Sequence, residues 1–214
     1  MSKPQRLLLI VLTVVAWLAV ALQIFLTTKA VLNQGLSTTH GIVKTLSYFT
    51  VLTNLMVAIV TTALLARGTQ NTFLTRPSTT SATAVYIAVV GMIYSLLLRA
   101  FWEPTGLQLV VDVALHDAVP ILYILFWFSY VTKGTLKWIG PVWWLIYPLA
   151  YVGWTVLRGL HTGDYPYPFA DVNALGYPTV FVNAAMILAG FLVLGLIAVA
   201  IDHLLGRRRA SAGA

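Results

Sequence analysis

No cysteine occurs anywhere in the 214 residues. That absence excludes disulfides, thiolate metal ligands and cysteine nucleophiles. Charge is nearly as scarce, since Asp, Glu, Lys and Arg together make up 9% of the chain and only six residues are acidic. Soluble domains carry roughly 25% charged residues, so a chain this poor in charge is not a soluble globular protein. What takes the place of charge is apolar: 59% of residues are hydrophobic and mean hydropathy is +0.87.

About 20 apolar residues suffice to cross a hydrocarbon layer of roughly 30 Å. Runs of that length lie at about 7–26, 44–66, 83–101, 107–131, 139–157 and 177–201. The expected fold is therefore all-α, a six-transmembrane-helix bundle forming one membrane domain over residues 1–206, followed by a short basic tail at 207–214. The opening "MSKPQRLLLIVLTVVAWLAVA" has the basic start and small-residue site of a signal peptide. Its apolar run continues through Phe25 and Leu26 to spanning length, so it reads as a retained first span.

Basic residues set the expected orientation, because Lys and Arg in short loops stay cytoplasmic. Lys3 and Arg6, Arg67 and Arg76, Lys133 and Lys137, and then Arg207, Arg208 and Arg209 occupy alternate loops, nine of the thirteen basic residues. Both termini are expected to be cytoplasmic, with Asp202 the one acid near that face. The net charge of +7 is then a topology signal and an attraction to anionic lipid heads. No interleaving of basic and aromatic residues suggests nucleic acid as a partner. Membrane lipids are the expected surroundings.

Ionisable residues at membrane depth are costly and mark candidate functional sites. The fourth run contains "VVDVALHDAVP". Asp112 and His116, four apart, share a helix face, while Asp117 points about 100° away. A carboxylate one turn from an imidazole can fix its tautomer and stabilise its protonated form. Pro120 lacks an N–H, so the His116 carbonyl loses its helical donor and a kink or a water is expected there. The bland reading is that these polar groups only bond neighbouring helices.

The second run, "KTLSYFTVLTNLMVAIV", places Ser47, Thr50 and Asn54 on one face with Thr53 beside them. If that helix enters from outside near Gly41, Thr50 is expected nine residues in, about 13 Å deep, and His116 is nine residues from Leu107, the same depth. A hydroxyl, a histidine base and an orienting carboxylate are the recipe for acyl transfer through a covalent intermediate. By itself, the stripe would read as packing glue.

Other classes compete. A metal hydrolase could draw on His40, His116, His161, Asp112 and Asp117, but no two histidines have the i, i+4 spacing of a helical zinc motif. No metal or cofactor is expected, haem included, because paired intramembrane histidines are missing. A proton-coupled transporter would also place Asp and His inside a bundle, and a purely structural or regulatory membrane protein stays open.

"YFTVLTN" in the second run, "LHDAVPIL" in the fourth and "HTGDYPYPF" after the fifth resemble the androgen-induced membrane protein family. That resemblance implies six spans and an intramembrane hydrolase of fatty acid esters of hydroxy fatty acids, with a threonine nucleophile and a histidine. The threonine matches Thr50, the histidine matches His116, and the stretch after the fifth run matches Thr162, Gly163, Tyr167, Pro168 and Phe169. The animal pattern sets its histidine five residues before the proline, whereas His116 precedes Pro120 by four.

The expectation is thus a lipid ester hydrolase in the plasma membrane of a bacterium, with Thr50, His116 and Asp112 catalytic. Asn54 is expected to donate to the oxyanion, and Tyr167 to line the substrate. Arg99, near the outer end of the third run, suits a substrate carboxylate, although it could instead snorkel to head groups or neutralise Asp112 or Asp117. The stretch from Arg158 to Pro178, rich in Gly, Pro and aromatics, suits an ordered interfacial loop, either a lid or an anchor.

Overall fold

The structure is a computed structural model that describes residues 2–67 and 70–212, with side chains as far as Arg207. Arg208 and Arg209 of the expected basic tail lie outside the described side chains. The chain is 83% helix, with no strand among the described residues. Among the described residues five helices are long and apolar enough to cross a bilayer: Lys3–Leu32, Phe49–Arg67, Pro77–Phe101, Gly106–Tyr130 and Val172–Arg207. The protein is an integral membrane protein by these helices, and it divides into two compact units, Met1–Thr132 and Lys133–Ala214.

The first unit opens with α1 (Lys3–Leu32), started by a capping box in which the Ser2 hydroxyl accepts from the Gln5 N–H and the Gln5 side chain accepts from Ser2. At 30 residues it is about 45 Å long, more than a bilayer core requires. Next come α2 (Thr38–Leu46) and α3 (Phe49–Arg67). The run expected over 44–66 therefore divides near Ser47, whose hydroxyl turns back to the Val43 carbonyl (2.6 Å). Such back-bonding by serine loosens a helix and helps bend it.

The third crossing starts as α4 (Pro77–Ile93), continues through one π-helical turn (Tyr94–Leu98) and ends in a 3-10 turn (Arg99–Phe101). The fourth is α5 (Gly106–Val113), a π-helical turn (Ala114–Ala118) and α6 (Val119–Tyr130). α1 packs on α2, α3 and α6, while α4 packs on α3 and α6. Leu9, Leu12, Ala16, Val57, Val60 and Ile87 are fully enclosed.

Polar side chains join the helices of this unit at a few points. Trp127 donates to Ser81 (2.8 Å) and Tyr123 to the Thr80 carbonyl (3.1 Å), which ties α6 to α4. Gln108 donates to Gln23 (3.0 Å), which ties α5 to α1. Leu18, Leu96, Val110 and Ile121 face outward among many apolar side chains, as lipid-facing surface requires.

The second unit contains α7 (Gly140–Trp144), α8 (Ile146–Thr162) and α9 (Val172–Ala212). The run expected to span at 139–157 is broken at Leu145, and α8 has only 17 residues. Pro148 explains the break, since it has no N–H for the Trp144 carbonyl. α9 carries a non-helical Gly176 (φ 73°, ψ 157°), a conformation essentially reserved for glycine, two residues before Pro178. Asp202, fully buried, accepts from the N–H groups of Thr135 (2.9 Å) and Leu136 (3.0 Å) and so fastens the 132–138 segment to α9.

Candidate functional site

The fourth crossing is built around a missing donor. The Val119 N–H donates to the Ala114 carbonyl, five residues back, and Pro120 has none to offer. The Leu115 carbonyl is thereby passed over by its own helix. Asn54 on α3 supplies the replacement: fully buried, its Nδ2 donates to Leu115 O (3.1 Å) and to Thr50 O (2.9 Å). Both amide hydrogens are engaged, so Asn54 holds the bulge, a different task from the expected donation to an oxyanion. Gly91 on α4 fits closely against the same turn, where a Cβ would come within 3.2 Å of His116 O and 3.4 Å of Pro120 Cβ.

The third crossing carries its own π turn, closed by the Arg99 N–H on the Tyr94 carbonyl. Single π turns are rare in helices and recur at functional sites. Between these two turns lies a compact polar group. His116 Nδ1 is 3.2 Å from Asp112 Oδ1 and 3.0 Å from the Asp112 carbonyl. Two acceptors around Nδ1 put the proton there, so Nε2 is the basic nitrogen of the neutral ring. Asp112 is buried, and the His116 side chain is 14% exposed.

Tyr94 is the residue that the sequence did not single out. Its hydroxyl donates to Asp112 Oδ2, and its ring stacks on the imidazole at 3.8 Å between centroids and 13° between planes. The carboxylate is thus held from both sides, by tyrosine on one oxygen and histidine on the other. The Arg99 guanidinium lies 5.0 Å from the Tyr94 ring centroid and pairs with Asp117 (2.5 Å). That ion pair favours neutralisation of Asp117 over the expected carboxylate clamp, although Arg99 stays half exposed.

α3 packs against the π turn of the fourth crossing. Val51 and Val111 share a buried cluster with Leu115, and Asn54 reaches Leu115, so α3 and the fourth crossing run side by side in the same direction. By helical register, one turn before the Asn54–Leu115 contact, Thr50 falls near the level of Val111 and Asp112. Helical side chains lean toward the N-terminus, and the imidazole accordingly reaches back to Asp112. Thr50 is buried, as are Ser47 and Thr53 of the same stripe.

Tyr167 belongs to the second unit, where it is buried and stacks on Phe169 at 5.1 Å. Its loop is firmly tied. Arg158 grips Asp164 through the carboxylate (2.8 Å) and the backbone carbonyl (2.7 Å). Asn173 donates to Gly163 O (3.1 Å) and Asn183 to Phe169 O (2.9 Å). Ordered anchoring of this kind suits the anchor reading of the 158–178 stretch better than the lid reading. Among the described residues no three His, Asp or Glu side chains converge as metal ligands would.

No family model, curated protein or solved structure matches this chain.

Proposed function

We propose that the protein hydrolyses lipid esters within the membrane, with Thr50 as nucleophile, His116 as general base and Asp112 as the carboxylate that orients it. One observation carries the reading: His116 is fixed through Nδ1 by a buried carboxylate, its Nε2 remains the basic nitrogen, and buried Thr50 stands one turn before Asn54, which donates to Leu115 O beside His116. In the first step Nε2 accepts the Thr50 proton as Oγ1 bonds to the ester carbonyl carbon. The imidazolium then protonates the departing alkoxide, leaving an acyl-threonine. Water, deprotonated by His116, attacks that ester and releases the fatty acid, and the proton returns to Thr50.

The three motifs that resemble the androgen-induced membrane protein family support the same residues. Membrane lipids are then both substrate and solvent. The alternation of basic loops supports cytoplasmic termini and a sixth crossing through α7 and α8, as in a bacterial plasma-membrane protein.

Labelling with a serine-hydrolase phosphonate probe followed by peptide mapping tests the assignment. The adduct is expected on Thr50, absent in Thr50→Ala and retained in part in Thr50→Ser. Undiminished labelling of Thr50→Ala would overturn it. A proton-coupled transporter is the second reading, favoured by the polar chain that passes from half-exposed Arg99 through Tyr94 to buried Asp112. Proton uptake into proteoliposomes, lost in Asp112→Asn with no probe adduct in wild type, would favour that reading.

A further inference from the structure

A second feature of the first unit lies far from His116. Ile59, Thr62, Ala63, Ala66 and Arg67 recur at i, i+3, i+4, i+7 and i+8, one face of α3. They line a cavity of about 350 Å³. Its floor is low because alanines form it. One wall is the Trp17 indole of α1, fixed by donation of Nε1 to Thr62 Oγ1 (3.0 Å), while the Thr62 hydroxyl itself donates to Ala58 O (2.6 Å). The other wall is Thr72 and Leu74, in a turn held by Thr72 N–H on Gln70 O (2.7 Å) and Arg76 N–H on Thr72 O (3.0 Å).

Charge decides what would occupy this slot. Arg67 stands at its rim, Arg76 follows in the adjoining turn, and Lys3 and Arg6 open α1 at the same end. The three acids of this unit, Glu103, Asp112 and Asp117, belong to the opposite end of its helices. Among the described residues no carboxylate pairs with Arg67. An apolar trough that ends at an uncompensated guanidinium matches an acyl chain joined to an anion. Zwitterionic head groups would bring a cation toward this basic cluster, which disfavours them.

We propose that this slot binds one anionic phospholipid, its phosphate on Arg67 and an acyl chain over Ala63 and Ala66 against Trp17. Arg67 is 13 residues beyond Asn54, about 20 Å along the helix, so the slot is separate from the polar group at His116. The proposal does not depend on the hydrolase reading.

The full chain in phosphatidylcholine nanodiscs, doped with lipid brominated on its acyl chain, provides the test, because bromine quenches an indole that it touches. The Trp17 signal is the difference between wild type and Trp17→Phe. Half-quenching is expected at about a fivefold lower mole fraction of brominated phosphatidylglycerol than of brominated phosphatidylcholine, equivalent to ~1 kcal/mol. Arg67→Gln should remove that preference and Arg67→Lys should keep most of it. Ala63→Leu, which fills the floor, should weaken quenching by both lipids. Equal quenching by the two lipids in wild type would mean ordinary annular lipid only and overturns the proposal, as does a preference that survives Arg67→Gln. Native mass spectrometry gives a measurement without Trp17→Phe: one retained phosphatidylglycerol is expected in wild type, and its persistence in Arg67→Gln counts against the site.

Discussion

Replacing Asn54 with leucine tests whether a side chain from one helix completes the backbone of another. The substitution keeps the γ-branched shape, adds the bulk of two methyl groups and removes both Nδ2 hydrogens. Thr50 O loses little, because it stays inside the regular ladder of α3. Leu115 O loses the donor that replaces its helical one, since Val119 serves Ala114 and Pro120 has no N–H. An orphaned buried acceptor costs about 1–3 kcal/mol, whereas interhelical hydrogen bonds in membranes average about 0.6 and reach about 1.7 kcal/mol. The orphan here is a backbone carbonyl with no donor in its own helix, so the upper part of the membrane range applies, about 1.5 kcal/mol.

A double-mutant cycle separates that cost from packing. Pro120→Ala restores an N–H at residue 120, which can serve the carbonyls that the bulge abandons. In that background Asn54→Leu should cost only its packing term, giving a coupling of about 1 kcal/mol. The four proteins would be compared by detergent-induced equilibrium unfolding in mixed micelles, followed by tryptophan fluorescence. Effects that add to within about 0.3 kcal/mol, the behaviour of independent sites, would refute the account of Asn54.

Three further predictions concern the carboxylates and the groups that hold them. Asp112→Asn should lower hydrolysis on the order of 10³- to 10⁴-fold while the fold survives, as the wrong tautomer does in triad enzymes, and ¹⁵N spectra of His116 should lose the dominant Nδ1–H form. Tyr94→Phe keeps the stacked ring and drops the hydroxyl, so its expected effect is smaller, about tenfold or ~1.4 kcal/mol; unchanged spectra and turnover would show that Tyr94 is only packing. In the second unit, Asp202→Ala removes the acceptor of two backbone N–H groups and should cost about 2–4 kcal/mol. Hydrogen exchange at Thr135 and Leu136 should accelerate by orders of magnitude, and unaltered protection there would contradict the capping role.

Much of this architecture was legible because membranes impose simple demands on composition. Lengths of apolar runs located five crossing helices, and i, i+4 spacing paired Asp112 with His116, which the structure holds at 3.2 Å. Pro120 marked a disturbed turn, but the carbonyl that Asn54 serves is Leu115 O, one residue before the expected His116 O, because the π turn shifts the ladder by one. Other features depend on the partner helix and leave weak marks. Asn54 read as a free donor on a polar stripe, because nothing in α3 reveals that Leu115 O across the interface lacks a partner. Tyr94 read as one more aromatic among ten tyrosines. Pro148 could have announced the break at Leu145 in the 139–157 run, had it been given the weight that Pro120 received.

The two π turns explain why that tyrosine was hard to find. Tyr123 and Trp127 tie α6 to α4 through Thr80 and Ser81, which fixes the facing sides of these helices away from the site. Each π turn inserts one residue and rotates everything beyond it by about 100°. A straight-helix projection from the fixed region therefore assigns the outer residues of both crossings to the wrong faces. The third crossing bulges at Tyr94–Leu98 and the fourth at Ala114–Ala118, so both helices turn where they face each other. Removal of one bulge alone would rotate Tyr94 relative to the Asp112–His116 pair. The close fit of Gly91 to the His116 carbonyl and the donation from Asn54 to Leu115 each secure the fourth-crossing bulge from a different neighbouring helix. Two independent supports for one distorted turn are what a site needs if the imbalance created by Pro120 is to persist, and they make the register of His116 a property of three helices rather than one.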